Sequence, residues 1–408
     1  MDAFDSIRAS RAAWLRASTV APFVPAYWSR LVERRYAPDT VQHYMCCLAH
    51  FAHWSRRARL DLGNLGPAVD RFLEQHLPRC NCPHPVLRVP MLLRAALNHL
   101  QAVLVEHGIG AALRGVDPID DELRRFDEHL RDAGGLADIT RHRRRAIVAS
   151  LLRTAPSTTP NADDLRAFVA REMSRLSPVG GAAVATALRS YLRFRAFEGD
   201  HVEHLLPLVV SPAHWRLAAL PPTLSRDEVE RLLGALPPEL PSRHRAYAMV
   251  RCIVDLGLRT CEVTGLNLDD IDWAAGTLRI AKSKSRRVDL MPLPEVTGSA
   301  IADYIRFERP QTVNRRVFVR HVAPVDEPIG TKAVRRAVIE AYRRSGLPHT
   351  RIHILRHTLA GRLLDAGGTL KEVADVLRHR ELNTTMIYAK IDVGRLAAVA
   401  MPWPGSAA

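Results

Sequence analysis

Apolar residues recur at helical spacing through most of this 408-residue chain, and this periodicity limits its fold more than any other feature. After Pro38-Asp39-Thr40 they fall at every third or fourth position, which is typical of a helix with one buried face. Strand-like runs are limited to residues 277–281 and 286–290, on either side of a short polar turn. The chain is therefore predicted to be mainly α. Helical N-terminal bundles would precede a mixed, mostly helical C-terminal domain with a small β-hairpin or sheet.

A proline-rich stretch divides the chain before its C-terminal part. Pro221-Pro222 ends the preceding element, and Ser225 followed by Glu228 predicts a capping box at the start of a helix. We therefore predict domains at 1–118, 119–215 and 222–408. The first two are helical, and no motif assigns a role to residues 1–118.

The chain is strongly basic, with a formal net charge of +15 and an isoelectric point near 10.2. Such a surplus favours a polyanionic partner, of which nucleic acid is the commonest. The alternative is codon usage that favours arginine, and the presence of only five lysines fits that alternative in part. No apolar run reaches membrane-spanning length, and the N-terminus lacks the pattern of a signal peptide. We expect a cytoplasmic protein without a membrane partner.

The six cysteines do not suggest a disulfide framework in so long and basic a chain, so buried free thiols are expected. The run Cys80-Asn81-Cys82-Pro83-His84 resembles half of a metal site. A zinc site needs a second pair of ligands at suitable spacing, and none follows. The sequence therefore predicts no metal.

Basic residues of the C-terminal domain stand at unusual positions. Arg259 follows Gly257-Leu258 at the end of an apolar helix, where backbone on both sides would aim its guanidinium at a phosphate. Taken alone, an arginine that bonds the free carbonyls of a helix end explains this position better. His353 and Arg356 are three residues apart and share a helix face, although a structural histidine beside a surface arginine is common.

A tyrosine follows these residues near the C-terminus. The helix over 370–377 ends before His379, and polar residues then cap a helix that begins at Met386. Tyr388 would lie in its first turn, near the positive end of the helix dipole. A buried core tyrosine is the alternative.

The order and spacing of these residues, with Lys282 on the hairpin, resemble the active site of the tyrosine recombinases, the phage integrase family. LGLRTCEVTGLNLDDID is similar to the family's first arginine box, with Glu262 at its acidic position. HILRHTLAGRLLDAGG is similar to the second box, and LRHRELNTTMIYAKID to the nucleophile box. The resemblance covers about 222–395 strongly. It extends more loosely over 119–215, which is similar to the core-binding domain of the family, a helical domain that binds DNA.

The chain departs from the family at two points. Where the family usually has glycine before its second histidine, this chain has Arg378, which adds bulk and charge beside His379. The hairpin turn is also short, so Lys282 and Lys284 compete for the position of the catalytic lysine. We favour Lys282, because it lies twenty-three residues after Arg259 and at a strand end.

The resemblance implies an enzyme that cuts and rejoins DNA at defined sites without metal, ATP or another cofactor. Arg259 and Arg356 would clamp the phosphate while Tyr388 forms a 3′-phosphotyrosine bond. The remaining catalytic residues would be a lysine acid and two histidines, namely Lys282, His353 and His379.

The resemblance also implies a homotetramer on a double-stranded DNA recombination site, alone or with other recombinases, and a place on the nucleoid. The apolar tail after Tyr388 would dock on a neighbouring subunit or fold back on its own domain. The alternatives are a tyrosine-type transposase or resolvase, a DNA-binding regulator with a decayed centre, and a type IB topoisomerase.

One helix face of the middle domain is predicted to follow DNA. In the helix over 182–197, small polar residues alternate with Arg189 and Arg193 at positions i, i+3, i+4 and i+7. We expect Arg141, Arg144 and Arg145 of a nearby helix to assist, with Lys284 contacting a phosphate or a base edge. Ordinary solvated charge is the alternative.

Overall fold

The computed structural model describes residues 3–4, 7–58, 62–83, 86–109, 118–154, 160–213, 221–237, 239–280, 288–379 and 384–390. These residues are mostly helical with a small three-stranded sheet, as predicted. They pack into two compact units. The first unit is Met1–Ser6, Pro25–Met45 and Leu217–Ala408, and the second unit is Ile7–Val24 and Cys46–Arg216. The three-domain division at 1–118, 119–215 and 222–408 stays a prediction.

The helices before the proline-rich stretch are, in chain order, α1 Ala9–Arg16, α2 Val24–Glu33, α3 Pro38–Ala58, α4 Leu65–Arg71, α5 Pro90–Glu106, α6 Pro118–Asp132, α7 Asp138–Leu152, α8 Ala162–Arg175 and α9 Pro178–Phe197. A π-helical turn, Phe72–His76, continues α4. The predicted helix after Pro38 is confirmed as α3. The helix predicted over 182–197 begins earlier, at Pro178, because the Ser177 side chain caps its N-terminus. None of the described helices is long and apolar enough to span a membrane.

The second unit buries the apolar stripes of its helices in shared clusters. In one, α6, α7 and α9 pack through Phe126, Val148 and Phe194. Polar atoms in this interior are paired: the Tyr191 hydroxyl donates to Glu122 at 2.8 Å, and Arg195 forms an ion pair with the same carboxylate. This pairing offsets the cost of burying a carboxylate inside the bundle.

The first unit continues with α10 Arg226–Gly234, α11 Arg243–Leu256, α12 Thr260–Gly265, α13 Glu295–Phe307, α14 Thr331–Arg344, α15 His353–Asp365 and α16 Leu370–Val376. Helix α11 is central and packs against α13, α14 and α15. The predicted capping box at Ser225 and Glu228 is confirmed at the start of α10. The Pro25–Met45 segment is joined to this unit by an ion pair between Arg34 and Glu327 at 3.0 Å.

The sheet is antiparallel in the order β1 Ile271–Asp272, β2 Thr277–Ile280 and β3 Asp289–Pro292. Strand β2 matches its prediction, whereas β3 lies later than the predicted 286–290. Strand β1 was not predicted, because two residues are too few to show an alternating pattern. Residues 281–287, which include Lys282 and Lys284, lie outside the described residues.

Candidate active site

The site begins where α11 ends. Gly257 closes this helix with φ of 57°, a left-handed conformation that favours glycine. A Cβ atom at this position would lie 2.8 Å from Leu377 and 2.9 Å from Leu359, so neighbouring side chains also exclude a larger residue. The tight turn brings the Gly257 carbonyl within reach of Arg356 and Arg378, which both donate to it. The turn before Arg259 therefore requires glycine, and its carbonyl helps to hold two arginines of the site.

Arg259 is held at the N-terminus of α12 by Glu262. The Glu262 carboxylate accepts from the Arg259 backbone N–H at 2.8 Å and from its guanidinium at 2.7 Å. Burial opposes ionisation of Glu262, but Arg378 and Arg259 outweigh it and hold the pKa of the carboxyl below its ordinary value. The predicted place of Glu262 beside the first arginine is therefore seen, and its charge fixes the direction of that guanidinium.

Arg356 lies on the buried face of α15, with 5% of its surface exposed. Its guanidinium donates to the backbone carbonyls of Gly257 and Leu377, which join α15 to the ends of α11 and α16. Burial, with Arg259 and Arg378 close by, lowers the pKa of Arg356 to about 9. The group is therefore still a cation at neutral pH, surrounded by dipoles that fix its position.

His353 is the first residue of α15 and is exposed. Desolvation by its surroundings, then repulsion from Arg356 and Arg259, lowers the pKa of His353. The two basic residues predicted to share a helix face therefore differ in exposure. A neutral imidazole lies at the surface, and a fixed cation lies beneath it.

Arg378, the departure from the family pattern, is a buried structural residue. Its φ of 54° is left-handed, which explains why glycine suits this position. The guanidinium forms an ion pair with Glu262 at 2.9 Å, with side chains only 2% and 0% exposed. The Arg378 carbonyl in turn accepts from Arg259 at 3.2 Å. Its guanidinium thus supports the first arginine through Glu262, while its charge also helps to lower the pKa of His379.

Tyr388 lies in a short 3₁₀ helix, Met386–Lys390, which begins where predicted. The side chain is 2% exposed and belongs to an apolar cluster with Leu359 and Leu377, so the core-tyrosine alternative is correct about its burial. Its hydroxyl nevertheless has a polar partner, Nδ1 of His357, at 2.8 Å. Burial raises the pKa of Tyr388 to about 12, against the opposing effect of Arg356 and Arg259. The phenol is therefore protonated at neutral pH and lies in the field of both arginines.

His379 lies parallel to the tyrosine ring, with ring centroids 6.3 Å apart and an interplanar angle of 4°. Its Nδ1 is 2.8 Å from the Thr385 hydroxyl, one of the predicted capping residues. Burial, reinforced by Arg356 and Arg259, lowers the pKa of His379 to about 4. The ring is therefore neutral at pH 7 and can donate or accept a hydrogen bond, according to its tautomer.

A basic cavity of about 510 Å³ opens beside these residues. Arg259, His353 and Arg356 line it together, as the family resemblance implies. Three exposed cations that sequence reasoning missed complete its wall, namely Lys332, Arg335 and Arg351. Lys332 and Arg335 lie in α14, which carries no motif, and Arg351 lies two residues before the second box, so only the fold shows that they line the same cavity.

The structure thus brings together Arg259, Glu262, Arg356, His379 and Tyr388, with His353 at the surface. Lys282, Lys284 and the capping residue Asn383 lie outside the described residues. Sequence reasoning also missed His357. Its spacing of four from His353 on one helix face was the available signal.

The predicted DNA-binding arginines lie on α7 and α9, which pack together in the second unit. Arg144 donates to Ser190 at 3.0 Å, which joins the two predicted faces into one surface. Arg193 is exposed, whereas Arg189 donates to the Val209 carbonyl at 2.7 Å. Arg141 forms ion pairs with Asp127 and Asp138, both at 2.6 Å, and Arg145 lies 3.9 Å from Asp127. Those two guanidinium groups therefore already have carboxylate partners.

Comparison with known proteins agrees with this geometry. A family model described as the phage integrase family matches residues 222–395. The protein named as integrase/recombinase y4rA of Sinorhizobium fredii is 35% identical over 401 residues, 95% of this chain and 95% of that protein. Tyrosine recombinase XerD of Mycobacterium tuberculosis is 28% identical over 326 residues, 77% of this chain and 96% of that one.

Solved structures share the fold. The XerH site-specific recombinase bound to palindromic difH substrate matches with a TM-score of 0.54 at 19% identity, over 70% of this chain and 88% of that chain. The Tn1549 transposon integrase in complex with transposon right end DNA matches with a TM-score of 0.52 at 16% identity, over 68% and 99%. The chain belongs to the phage integrase family of tyrosine recombinases.

Proposed function

We propose that this protein is a site-specific DNA recombinase that cuts and rejoins DNA through a covalent bond between Tyr388 and a 3′ phosphate. The observation that carries the proposal is that Arg259 and Arg356 line one basic cavity in the first unit and also act on the pKa values of the buried His379 and Tyr388. Structural pairing alone does not explain why two fixed guanidinium groups lie so close to a buried phenol.

The proposed chemistry comes from the family resemblance, and the charges of the site support it. The Tyr388 oxygen attacks phosphorus, the bond from phosphorus to the 5′ oxygen breaks, and the phenol proton leaves to a neighbouring base or to water. Arg259 and Arg356 neutralise charge on the non-bridging oxygens as the five-coordinate state forms. Lys282 donates a proton to the departing 5′ oxygen, with His353 assisting and His379 binding a phosphate oxygen. The reverse attack by a 5′ hydroxyl rejoins the DNA, so the reaction needs no metal or ATP.

The cavity supports DNA as the substrate. Lys332, Arg335 and Arg351 extend its positive wall beyond the two catalytic arginines. Exposed cations on one wall suit contact with the phosphates of a DNA strand, because each phosphate carries a single negative charge. In the second unit, the exposed Arg193 and the half-buried Arg144 on the joined α7–α9 surface are proposed to hold the same duplex.

Assembly and reaction type are proposed from the family. Exchange of strands between two duplexes needs four active sites, so we propose a homotetramer on DNA, alone or with related recombinases, acting on the nucleoid. The tail after Lys390, outside the described residues, is proposed to dock on a neighbouring subunit. The matched proteins include a Xer recombinase and a transposon integrase, so transposition or resolution by the same chemistry is the second candidate.

Trapping the covalent intermediate tests the proposal. Nicked suicide duplexes made from the DNA that borders the gene are incubated with the wild type, with Tyr388→Phe and with Tyr342→Phe. Tyr342 is a buried tyrosine of the same unit and serves as the matched control. We expect a denaturant-resistant adduct with the wild type and the control, and none with Tyr388→Phe.

Other outcomes separate the alternatives. An adduct of normal yield from Tyr388→Phe would remove Tyr388 from the role of nucleophile. DNA binding by the wild type without any adduct would favour a regulator. Relaxation of plasmids that lack any target site would favour a topoisomerase.

A further inference from the structure

A cluster of histidine and cysteine side chains lies in the second unit, in the part of the chain without a family motif. His50 comes from α3, His76 from the π-helical turn after α4, and Cys80 and Cys82 from the segment that follows. One ligand atom from each of the four residues lies within 4.8 Å of all the others. Nε2 of His50 is 3.3 Å from Sγ of Cys80, and Nε2 of His76 is 3.5 Å from Sγ of Cys82.

These distances fit a tetrahedral zinc ion. With Zn–S of about 2.3 Å and Zn–N of about 2.0–2.1 Å, tetrahedral geometry places a sulfur and a nitrogen ligand about 3.6 Å apart. The two observed separations of 3.3 and 3.5 Å need only a slight expansion to reach that value. Two imidazoles and two thiolates are also a donor set that zinc favours in structural sites.

The hydrogen bond that His50 makes outside the cluster indicates which of its ring nitrogens would bind the ion. Its Nδ1 is 3.1 Å from the Leu87 carbonyl, which can only accept, so Nδ1 carries the proton and Nε2 presents a lone pair to the cluster. Histidines that bind metals typically donate their other N–H in this way. Arg88 donates to the Cys80 carbonyl at 3.0 Å and so also fastens the segment that carries the first thiol.

The site is mostly buried, with His76 the one half-buried ligand among the four. His50, Cys80 and Cys82 are 0%, 4% and 5% exposed. The Phe72 ring lies against both histidines, with centroids 5.1 Å from His50 and 5.3 Å from His76. Without an ion, buried ring nitrogens would face thiols, which are weak hydrogen-bond partners. A disulfide does not account for the cluster, because both cysteines are free.

We propose that His50, His76, Cys80 and Cys82 bind one Zn²⁺ as a structural site. Four protein ligands leave no open position for water or substrate, so the ion would tie α3 to residues 72–82 and take no part in the DNA chemistry. In the sequence, no second pair of ligands follows Cys80 and Cys82, which is why no metal was predicted. The pair precedes the cysteines in the chain, and only the fold brings His50, thirty residues earlier, beside them.

Metal analysis of the untagged full-length protein tests the site without DNA or activity. After dialysis against zinc-free buffer, we expect about one zinc per chain by mass spectrometry of the metal. The apoprotein should take up one Co²⁺ and develop the visible bands of tetrahedral cobalt with thiolate charge transfer. Chelation should increase the number of thiols that react with a disulfide reagent by two, because only Cys80 and Cys82 are released from the ion.

Matched variants sharpen the result. Cys80→Ser and His50→Gln should lose most of the zinc, whereas Cys261→Ser, an exposed cysteine outside the cluster, should retain it. His84→Ala should also retain zinc, although His84 stands in the same sequence run. The proposal is overturned if the wild type holds no zinc and gives no tetrahedral cobalt spectrum in excess Co²⁺. Stoichiometric zinc in Cys80→Ser, or its loss in His84→Ala, would equally overturn this set of ligands.

Discussion

Two replacements of Arg378 should separate its two contributions to stability, the conformation of its backbone and its ion pair with Glu262. The residue combines a left-handed backbone, with φ of 54°, and a buried ion pair to Glu262. Removing one partner of a buried pair costs about 3–5 kcal/mol. Glu262 keeps Arg259 as a second partner at 2.7 Å, so its charge is not left alone and the lower end of that range applies. Arg378→Ala should therefore reduce the free energy of unfolding by about 3 kcal/mol.

Arg378→Gly loses the same ion pair but removes the backbone strain. A left-handed conformation costs a residue with a Cβ about 1–2 kcal/mol, and glycine avoids this cost. Part of the gain is lost, because glycine also increases the conformational entropy of the unfolded chain. We expect Arg378→Gly to be about 1 kcal/mol more stable than Arg378→Ala. That order is the reverse of the usual one, since in a helix glycine is about 1 kcal/mol less stable than alanine. Arg336, exposed within α14, is the control at which the usual order should appear.

Hydrogen exchange of α11 during urea denaturation is the assay, because that helix lies at the core of the first unit and reports its unfolding. If Arg378→Ala were as stable as Arg378→Gly or more stable, the left-handed backbone at residue 378 would be refuted. Stability within about 0.5 kcal/mol of the wild type for both variants would refute the ion pair. Adduct formation by Arg378→Gly should fall less than tenfold, because Glu262 and the backbone carbonyl of residue 378 still hold Arg259.

Three further outcomes are expected from the candidate site and the proposed DNA-binding surface. His357→Phe should slow adduct formation about tenfold with DNA affinity unchanged, since the phenol loses its partner; an equal or faster rate would mean that the contact restrains the nucleophile. Replacing Arg189 and Arg193 together by alanine should flatten the slope of log K against log salt by about one to two, and an unchanged slope would show ordinary solvated charge. Lys282→Ala should be slow on normal DNA and rescued by a bridging 5′ sulfur, whereas Lys284→Ala should lose affinity without rescue. Rescue of Lys284→Ala instead would exchange the two roles.

The fold was predictable where its signals are local. Periodicity and capping residues located α3 and the start of α10, since helix formation depends on neighbours three or four positions away. The sheet was harder. Strand β1 is two residues long and is recognised only by pairing with Thr277 and Leu278, a contact that no local pattern records.

The residues of the candidate site also differ in how far the sequence alone could predict them. Motif spacing predicted Arg259, Arg356 and Tyr388, and the structure brings these three residues close together; their roles in the reaction stay a prediction. The role of Arg378 could not be predicted from the sequence, which showed only that the residue adds bulk and charge beside His379. The structure shows that a left-handed turn sends the side chain inward, to a carboxylate 116 residues earlier in the chain.

The burial of Tyr388 links the arginines to His357. Arg356 and Arg259 lower the pKa of the phenol against the larger effect of burial, which leaves it at about 12. A phosphodiester bound between these arginines would neutralise the charge that favours the phenolate, so ionisation would become harder when substrate arrives. The same anion would raise the pKa of a neighbouring imidazole, and His357, 2.8 Å from the hydroxyl, is the group placed to receive the proton. Burial, with His353 and Arg356 close by, lowers the pKa of His357 to about 4, and a bound anion would raise the pKa of both groups. The proton would therefore pass to His357 through the existing hydrogen bond while the bond to phosphorus forms, and not by ionisation of the phenol beforehand.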